Sequence, residues 1–331
     1  MGLNIKDIAR MANVSPATVS RVINGTGNVN EENRQRVLKV LEETGYKPNA
    51  LARGLLKSRT NVIGIIVPDL SNINFAEYVK GIENEAKKHD FNILLTTSGN
   101  SAENEISYFQ LFKEKRLDGI IFSGTVFTKK HKVEIEKTDI PVLVFGQNFG
   151  HPALISINID NEMAAYEATK YLLSKGAKSP CMIAGPLWDK SAGYNRYSGF
   201  LKAIIEEGIN PNSISVEEGD FSIKSGYNAM KKILKKNTID AVLAGNDYMA
   251  LGAIKCLVDE NKRIPDDVQV MGFDDIVISE IYNPSLSTVK IDFHQAGKLS
   301  ARKLIKAIEG EEVEKDIEFP YEIILRNTTK L

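Results

Sequence analysis

Residues 4–24 read Asn-Ile-Lys-Asp-Ile-Ala-Arg-Met-Ala-Asn-Val-Ser-Pro-Ala-Thr-Val-Ser-Arg-Val-Ile-Asn, a stretch that predicts two short helices joined by one sharp turn. Asn4 is suited to cap the first helix, and Asp7 follows at the spacing of a capping box. Ser15 is suited to cap the second helix, with Pro16 at its first position, where a missing N–H is tolerated.

Apolar residues recur at helical spacing on one side of each predicted helix, and a third helix over residues 31–44 supplies a matching stripe. These residues are Ile5, Ile8, Ala9 and Ala12, then Val19, Val22 and Ile23, then Val37, Val40 and Leu41. The three stripes predict one small helical core.

The opposite side of the second helix carries Ala17, Thr18, Ser20 and Arg21. Short side chains let a helix enter the major groove of DNA, where an arginine can bond O6 and N7 of guanine. We therefore expect a DNA-reading head with Arg21 as the base contact. The alternative is an ordinary three-helix subdomain in which Arg21 is only solvated.

Charge is distributed unevenly along the 331 residues. Residues 1–60 contain ten basic and five acidic residues, a net charge of +5, whereas the remainder contains 32 basic and 38 acidic residues, a net of −6. A basic head on an acidic body predicts that only the head binds a polyanion, with salt-dependent affinity.

The length predicts two or more domains. The polar N-terminus and the absence of an apolar run of about 20 residues favour a cytosolic protein without signal peptide or membrane span. Cys181 and Cys256 are expected as buried free thiols, and the four scattered histidines as surface residues, so neither a metal nor a cofactor is expected.

The segment Tyr46–Thr60 is apolar at Ala50, Leu51, Ala52, Leu55 and Leu56, between basic residues. Gly54 weakens any helix here, so we expect a marginal helix that orders only against a partner surface. An apolar wedge flanked by Arg and Lys is typical of proteins that open the minor groove.

From residue 61 to about 290, short apolar runs alternate with longer amphipathic stretches, a pattern typical of parallel sheets covered on both faces. The predicted strands are 62–67, 92–96, 119–122, 142–145, 181–184, 241–244 and 268–271, and the clearest predicted helices are 75–89, 161–175 and 247–261. Two sheets fit this pattern better than one.

Polar residues follow several of these strands, where parallel sheets bind ligands. They lie in residues 68–75, 146–148, 185–186, 245–247 and 272–275. Each one alone is explained by a turn or a helix cap. Together with Arg196 and Phe221 they predict a cleft with amide, carboxylate and aromatic groups, suited to a polyhydroxylated or heterocyclic small molecule.

The chain resembles the lactose repressor (LacI/GalR) family of bacterial transcription factors along essentially its whole length. Residues 14–24 resemble the family's recognition helix, 46–53 its hinge, and 246–252 with 272–275 its core. The resemblance implies an N-terminal all-α helix-turn-helix head and an α/β two-lobe core like that of periplasmic binding proteins, with two Rossmann-like parallel sheets.

The implied domains are a DNA-binding head (1–47), a hinge helix and linker (48–60) and an effector-binding and dimerisation core (61–331). Lobe 1 would hold about 61–159 and 290–321, and lobe 2 about 160–289 and 322–331, with crossovers near residues 159, 289 and 321.

The resemblance also implies a homodimer, without a tetramer-forming tail, that reads a pseudo-palindromic double-stranded operator. Paired hinge helices would insert Leu55 into a kinked minor groove. The DNA-binding residues implied are Ser15, Pro16, Ala17, Thr18, Ser20, Arg21 and Asn24 in the head, and Asn49, Ala52 and Leu55 in the hinge.

The ligand-binding residues that the resemblance implies are Asn72, Phe75, Arg196, Phe221, Asn246 and Asp274. This set is also similar to that of ribose-binding periplasmic proteins, which favours a monosaccharide effector. Two departures leave the sugar open: Gly146-Gln147 replaces an acid followed by Arg, and Ile291 replaces a Gln near the third crossover.

Other functions remain as alternatives. A catabolite-type regulator would have a nucleobase or a protein co-effector, although the regulators that bind a phosphorylated carrier protein lack the ligand arginine. A transport-type sugar-binding protein would need export and no basic head. An enzyme is not expected, because the chain has no dinucleotide fingerprint, phosphate loop, nucleophile elbow or metal-ligand cluster.

Overall fold

The computed structural model describes residues 3–46, 59–124, 127–147 and 149–330. The chain divides into two compact units, Met1–Asn61 and Val62–Leu331. The predicted hinge residues Asn49, Ala52 and Leu55, and Asn148 of the second polar loop, lie outside the described residues.

The first unit contains the three predicted helices, with bounds α1 (Ile5–Met11), α2 (Pro16–Asn24) and α3 (Glu31–Thr44). Its core consists of the buried residues Ile8, Ala9, Ala12, Val19 and Val37. The small helical core predicted from the three apolar stripes is confirmed.

Local hydrogen bonds determine where α1 and α2 begin. Asn4 Oδ1 accepts from the Asp7 amide at 3.2 Å, and Asp7 Oδ2 accepts from the Asn4 amide at 3.0 Å, which completes the predicted capping box. Ser15 Oγ accepts from the Thr18 amide at 3.1 Å. The turn before α2 is sharp because Asn13 adopts a left-handed conformation with φ of 54°, which asparagine tolerates better than most residues.

The second unit contains two six-stranded sheets. The strands are β1 (Val62–Val67), β2 (Asn92–Thr97), β3 (Gly119–Phe122), β4 (Val142–Phe145), β5 (Leu154–Asn158), β6 (Pro180–Ala184), β7 (Val216–Glu218), β8 (Ala241–Ala244), β9 (Gln269–Asp274), β10 (Ser287–Lys290), β11 (Asp316–Glu318) and β12 (Glu322–Ile324). Their orders are β11-β5-β4-β3-β1-β2 and β12-β10-β9-β8-β6-β7. The first sheet is parallel throughout, and in the second only β12 runs antiparallel to its neighbour.

Helices connect the strands in each lobe. They are α4 (Ile73–Lys88), α5 (Ala102–Glu114), α6 (Lys129–Glu136), α7 (Asn161–Ser174), a π-helix (Lys190–Asn195), α8 (Arg196–Glu206), α9 (Ile223–Lys236), α10 (Asp247–Asp259), α11 (Val277–Ile281) and α12 (Phe293–Ile308). A 3₁₀ turn covers Pro211–Ser213.

The chain crosses between the two lobes three times: between β5 and α7, between β10 and α12, and between β11 and β12. Ile291, which the resemblance assigned to the third crossover, lies instead at the second, directly after β10. The three crossovers connect two sheets whose strand ends face a shared cleft.

All seven predicted strands are present, with shifts of one to three residues at three of them, but five further strands were not predicted. Three of these, β7, β11 and β12, are three-residue strands at or next to a sheet edge and carry charged residues. Short, charged edge strands resist pairing with other chains, and they lack the apolar run that marks a buried strand.

Helices α4 and α12 of lobe 1 approach closely at two glycines. A Cβ at Gly81 would lie 2.0 Å from the His294 carbonyl oxygen, and a Cβ at Gly297 would lie 2.0 Å from the Tyr78 carbonyl oxygen. Both positions therefore require glycine for the helices to cross at this distance.

His131 contradicts the prediction that the histidines lie at the surface, since its side chain is completely buried. Its Nε2 lies 3.0 Å from Glu105 Oε2, and its Nδ1 accepts from the Thr128 amide at 3.1 Å. The rings of Phe122 and Phe127 stack on it at 5.6 and 5.7 Å. The ring can be buried because both nitrogens have partners. Both cysteines are buried free thiols, as predicted.

Candidate ligand cleft and nucleic-acid interface

A cleft of about 620 Å³ lies between the two lobes at the carboxyl ends of the parallel strands. This volume is within the usual range for small-molecule sites. All six predicted ligand residues line it: Asn72 and Phe75 from lobe 1, and Arg196, Phe221, Asn246 and Asp274 from lobe 2.

A hydrogen-bonded ion pair lies on the lobe 2 side of the cleft and reaches lobe 1. Arg196 Nη2 lies 3.4 Å from Asp274 Oδ1, and Asn74 Nδ2 donates to Asp274 Oδ2 at 2.7 Å. Since Asn74 belongs to lobe 1, this bond joins the lobes across the cleft. Asp274 is the last residue of β9, where its φ is 103°, and its two carboxylate oxygens bind one partner each.

Arg196 is also held by its other nitrogens. Nε donates to Asn161 Oδ1 at 2.8 Å, Nη1 donates to the Gly245 carbonyl, and the guanidinium lies 3.9 Å above the Phe273 ring centroid. The side chain is therefore oriented before any ligand binds, as a recognition group requires.

Burial dominates the electrostatics of the pair. It lowers the pKa of Arg196, which Asp274 and Asp189 oppose, and it raises the pKa of Asp274, which Arg196 and Asn74 oppose. Both directions disfavour the charged forms, so desolvation exceeds the mutual attraction, as is usual for buried ion pairs. A ligand that supplies further hydrogen bonds would offset part of this desolvation.

The side chain of Asn246 shapes the cleft by bonding to two backbone groups. Its Oδ1 accepts from the Met249 amide at 2.9 Å and so caps α10, and its Nδ2 donates to the Phe221 carbonyl at 3.1 Å. Phe221 has a left-handed conformation with φ of 66°. The side-chain amide of Asn246 therefore caps α10 and also holds Phe221 in its strained left-handed conformation.

A second chain of hydrogen bonds joins the lobes. Asn161 Nδ2 donates to Ser191 Oγ at 3.0 Å, and Ser191 Oγ donates to the Gly146 carbonyl at 2.6 Å. Because Asn161 also accepts from Arg196, the ion pair and this bridge belong to one network. The π-helix supplies Ser191 and is capped by Asp189, whose pKa burial raises.

Several residues that line the cleft were not among the six named ligand residues, namely Asn74, Asn161, Trp188, Asp189, Ser191, Asp220 and Phe293. Asn74 does lie within the predicted polar range 68–75. Trp188, Asp189 and Ser191 lie in the segment that follows β6. Parallel sheets bind ligands beyond the carboxyl ends of their strands, so extending the predicted range 185–186 toward residue 191 would have included these three residues. Gly146, Gln147 and Ile291, the two departures from sugar-binding relatives, line the cleft as well.

The first unit presents α2 as a candidate nucleic-acid interface. Ser15, Pro16, Ala17 and Arg21 are exposed, and Thr18 and Ser20 are half-buried. The stem of Arg21 passes beside Gly27, 3.6 Å from the point that a Cβ on this glycine would occupy. Asn24 is the last residue of α2. The predicted contacts of the head thus belong to α2 and its N-cap.

Among the described residues, no helix is long and apolar enough to span a membrane, and no group of His, Cys, Asp or Glu side chains has the arrangement of a metal site.

Comparisons with known proteins assign a family to each of the two units. Residues 4–49 match the family of bacterial regulatory proteins, lacI family, and residues 60–327 match the family of periplasmic binding proteins and sugar binding domain of LacI family. The chain belongs to the LacI family. It is therefore a DNA-binding transcriptional regulator built from a helix-turn-helix head and a two-lobe core.

The chain is 35% identical to catabolite control protein A of Priestia megaterium, with 100% of each chain covered. A crystal structure of the lac repressor dimer bound to operator and the anti-inducer ONPF has a TM-score of 0.92 at 26% identity, covering 99% of each chain. A complex of the transcriptional regulator CelR with cellobiose has a TM-score of 0.74 at 27% identity, covering 98% of this chain and 99% of that one.

Proposed function

We propose that this LacI-family regulator binds operator DNA as a homodimer, and that a small molecule rich in hydroxyl groups controls its affinity for DNA from within the cleft. The observation that carries this proposal is the network of Asn74, Asp274 and Arg196, which joins the two lobes through donors and acceptors that line the cleft. A sugar hydroxyl can both donate and accept, and so can replace either partner of such a network.

The proposed residues for this role are Asn72, Phe75, Arg196, Phe221, Asn246 and Asp274. Carboxylate and guanidinium groups would bind hydroxyls, and the ring faces of Phe75 and Phe221 would cover the apolar face of a sugar. Two similar regulators support a small-molecule effector, since one was solved with cellobiose and the other with an anti-inducer.

The proposed switch is a change in the angle between the lobes. Asn74–Asp274 and Ser191–Gly146 are direct bonds between the lobes, and their lengths would change when the lobes move about the three crossovers. A ligand shifts this equilibrium only by its differential affinity for the two arrangements, and DNA must alter ligand affinity by the same factor.

DNA would be bound by Ser15, Pro16, Ala17, Thr18, Ser20, Arg21 and Asn24 of the head and by Asn49, Ala52 and Leu55 of the hinge. Within the proposed division of the chain, residues 1–47 read the major groove and residues 48–60 enter the minor groove. Residues 61–331 then sense the ligand and form the dimer.

An exposed apolar patch on lobe 2 supports the dimer. Helix α11 exposes 70% of Val277 and 74% of Ile281, and Val258 of α10 is also exposed. Ser279 Oγ and the Ile276 amide donate to buried Asp247 at 2.7 and 2.9 Å, so the patch is held on a fixed support. Val277 and Ile281 are four residues apart and so lie on one side of α11. Exposed apolar side chains grouped in this way mark protein interfaces.

A second candidate is a catabolite-type regulator whose effector is a nucleobase or a protein. The observation that favours it is the 34–35% identity to catabolite control protein A from several bacteria. Retention of a buried, fully oriented Arg196 in the cleft favours the sugar-controlled regulator instead.

A thermal-shift screen of the full-length protein tests the two candidates. A panel of pentoses, hexoses, disaccharides and nucleobases is added singly, since a ligand that binds only the folded state raises the melting temperature. We expect a sugar to do so, and the same sugar to change operator affinity in a gel shift. Stabilisation by nucleobases alone, or by no member of the panel, favours the catabolite-type candidate.

A further inference from the structure

The side chains that line the cleft carry an excess of negative charge. The lining contains four carboxylates, Asp69, Asp189, Asp220 and Asp274, and one guanidinium, Arg196, a formal net charge of −3. Among the described residues that line the cleft there is no lysine or histidine. The whole chain has a net charge of −1, so the excess is concentrated where the ligand would bind.

The guanidinium of Arg196 is already used by the protein. Arg196 pairs with Asp274 and donates to Asn161 and to the Gly245 carbonyl, so all three of its nitrogens have acceptors. The two N–H groups that remain, one on Nη1 and one on Nη2, can still bond to a ligand, but an anion bound there would compete with Asp274 for the same cation.

Most helices that begin at the cleft offer few free amides to an anion. Helix N-termini bind phosphates through free amides, but four of these helices have a side-chain cap that accepts from the first turn, whereas α8 has no such cap and continues directly from the π-helix. The caps and their donors are Asn72 with Asn74, Asp189 with Ser191 and Ala192, Ser222 with Ser225, and Asn246 with Met249. The Asp189 cap adds negative charge at the position where a phosphate would bind.

We infer that the cleft selects an uncharged polyhydroxylated effector and rejects the phosphorylated and carboxylated forms of the same molecule. This inference rests on the proposed function, in which the cleft is the effector site. Hydroxyl groups of a neutral ring donate to the carboxylates, and its apolar faces pack on Phe221 and on Trp188, which is 57% exposed at the cleft. An anion meets like charges in the same space, of which Asp69 and Asp220 are exposed to solvent and therefore open to screening by salt.

Binding of matched ligands to the full-length protein tests the inference. Each sugar that stabilises the protein is compared with its own monophosphate and its own aldonic acid by isothermal titration calorimetry at low and high salt. We expect each anionic form to bind at least about 30-fold more weakly at low salt, with a difference that shrinks as salt screens the carboxylates.

The charge itself is tested by the double variant Asp69→Asn and Asp220→Asn. Asp69 Oδ1 accepts from the Ser71 amide and Asp220 Oδ1 from the Ser222 amide, and asparagine can accept both bonds. In this variant, the dissociation constant of each anionic form divided by that of its neutral parent should be several-fold smaller. Asp266→Asn is the matched control, because Asp266 precedes β9 at the end of the sheet opposite the cleft, and it should leave the ratio unchanged.

A monophosphate or acid that binds as tightly as its neutral parent overturns the inference and leaves the effector site intact. An unchanged ratio in the double variant overturns it too, because other groups would then set the preference. Operator binding without affinity for any sugar or derivative instead refutes the cleft as an effector site, and the charge preference with it.

Discussion

At the scale of single residues, the side chains proposed to bind the ligand also stabilise the fold. Arg196 and Asp274 are 4% and 8% exposed, so each is the partner that makes burial of the other tolerable. Asn246 caps a helix while it holds the backbone of Phe221. Substitutions in the cleft therefore need a stability measurement beside the binding measurement.

Removal of one member of the ion pair should be more damaging than removal of both. We expect Arg196→Ala to lower the free energy of unfolding by about 3–5 kcal/mol, because Asp274 would remain buried without its cation. The double variant Arg196→Met with Asp274→Asn should recover most of that loss, as measured by urea denaturation. Equal destabilisation of the two proteins would show that packing, and not the unpaired charge, dominates.

Asp247 should make stability depend on pH. Burial, with a smaller contribution from the charge of Asp274, raises the pKa of Asp247 from 3.8 to about 7. The folded state thus binds this proton more tightly than the unfolded state, so the stabilisation is complete below pH 3.8 and is lost as the pH rises to about 7. The loss attributable to this group is about 1.4 kcal/mol per pH unit within that window.

The isosteric variant Asp247→Asn does not titrate and isolates this effect. The difference in unfolding free energy between the unsubstituted protein and the variant should fall from acid to neutral pH. Above neutral pH the difference should be constant. Urea titrations at several pH values measure it, and a difference independent of pH would contradict the raised pKa.

At the scale of elements, α2 combines a helix cap with the proposed DNA-facing surface. Ser15 Oγ accepts from the Thr18 amide, and Ser15 is itself exposed at the proposed interface. The two roles can be separated, because aspartate also caps helices but places a negative charge next to the phosphates of DNA.

We expect Ser15→Ala to destabilise the head by about 1 kcal/mol through loss of the cap. Ser15→Asp should preserve head stability and weaken DNA binding, most of all at low salt. Thermal unfolding followed by circular dichroism and gel shifts on operator DNA measure the two effects. Unimpaired DNA binding by Ser15→Asp would remove the start of α2 from the interface.

Elements were predictable from sequence where one local signal dominated. Helix α3 has the predicted bounds, and β1, β3, β4 and β8 match the predicted runs, because caps and continuous apolar runs are local features. The edge strands were missed because their pairing depends on neighbours distant in sequence: β11 pairs with β5, and β12 with β10. The π-helix was missed for the same reason, because its Ser191 bonds to the carbonyl of Gly146 in the other lobe.

At the scale of the whole molecule, the proposed dimer depends on the exposed face of α11. We expect Ile281→Asp to dissociate the dimer and to reduce operator affinity, because each head alone would bind a single half-site. Sedimentation velocity and gel shifts measure both outcomes. Ile205→Asp on α8 is the matched control, since Ile205 is 58% exposed on the same lobe. A dimer that survives Ile281→Asp would place the interface elsewhere.

The chain's local chemistry was sufficient to predict the helix-turn-helix head, the parallel sheets and a polar cleft at the strand ends, whereas the six candidate ligand residues that line one cleft came from the family resemblance. Caps, apolar periodicity and the polar ends of strands are properties of short segments, and the family resemblance carried these residues to their positions. Interactions between distant segments required the three-dimensional fold. The bond from Asn74 to Asp274 and the negative charge of the cleft arise from residues that the packing of the two lobes brings together, and the burial of His131 against Glu105 arises from the packing of two helices within lobe 1.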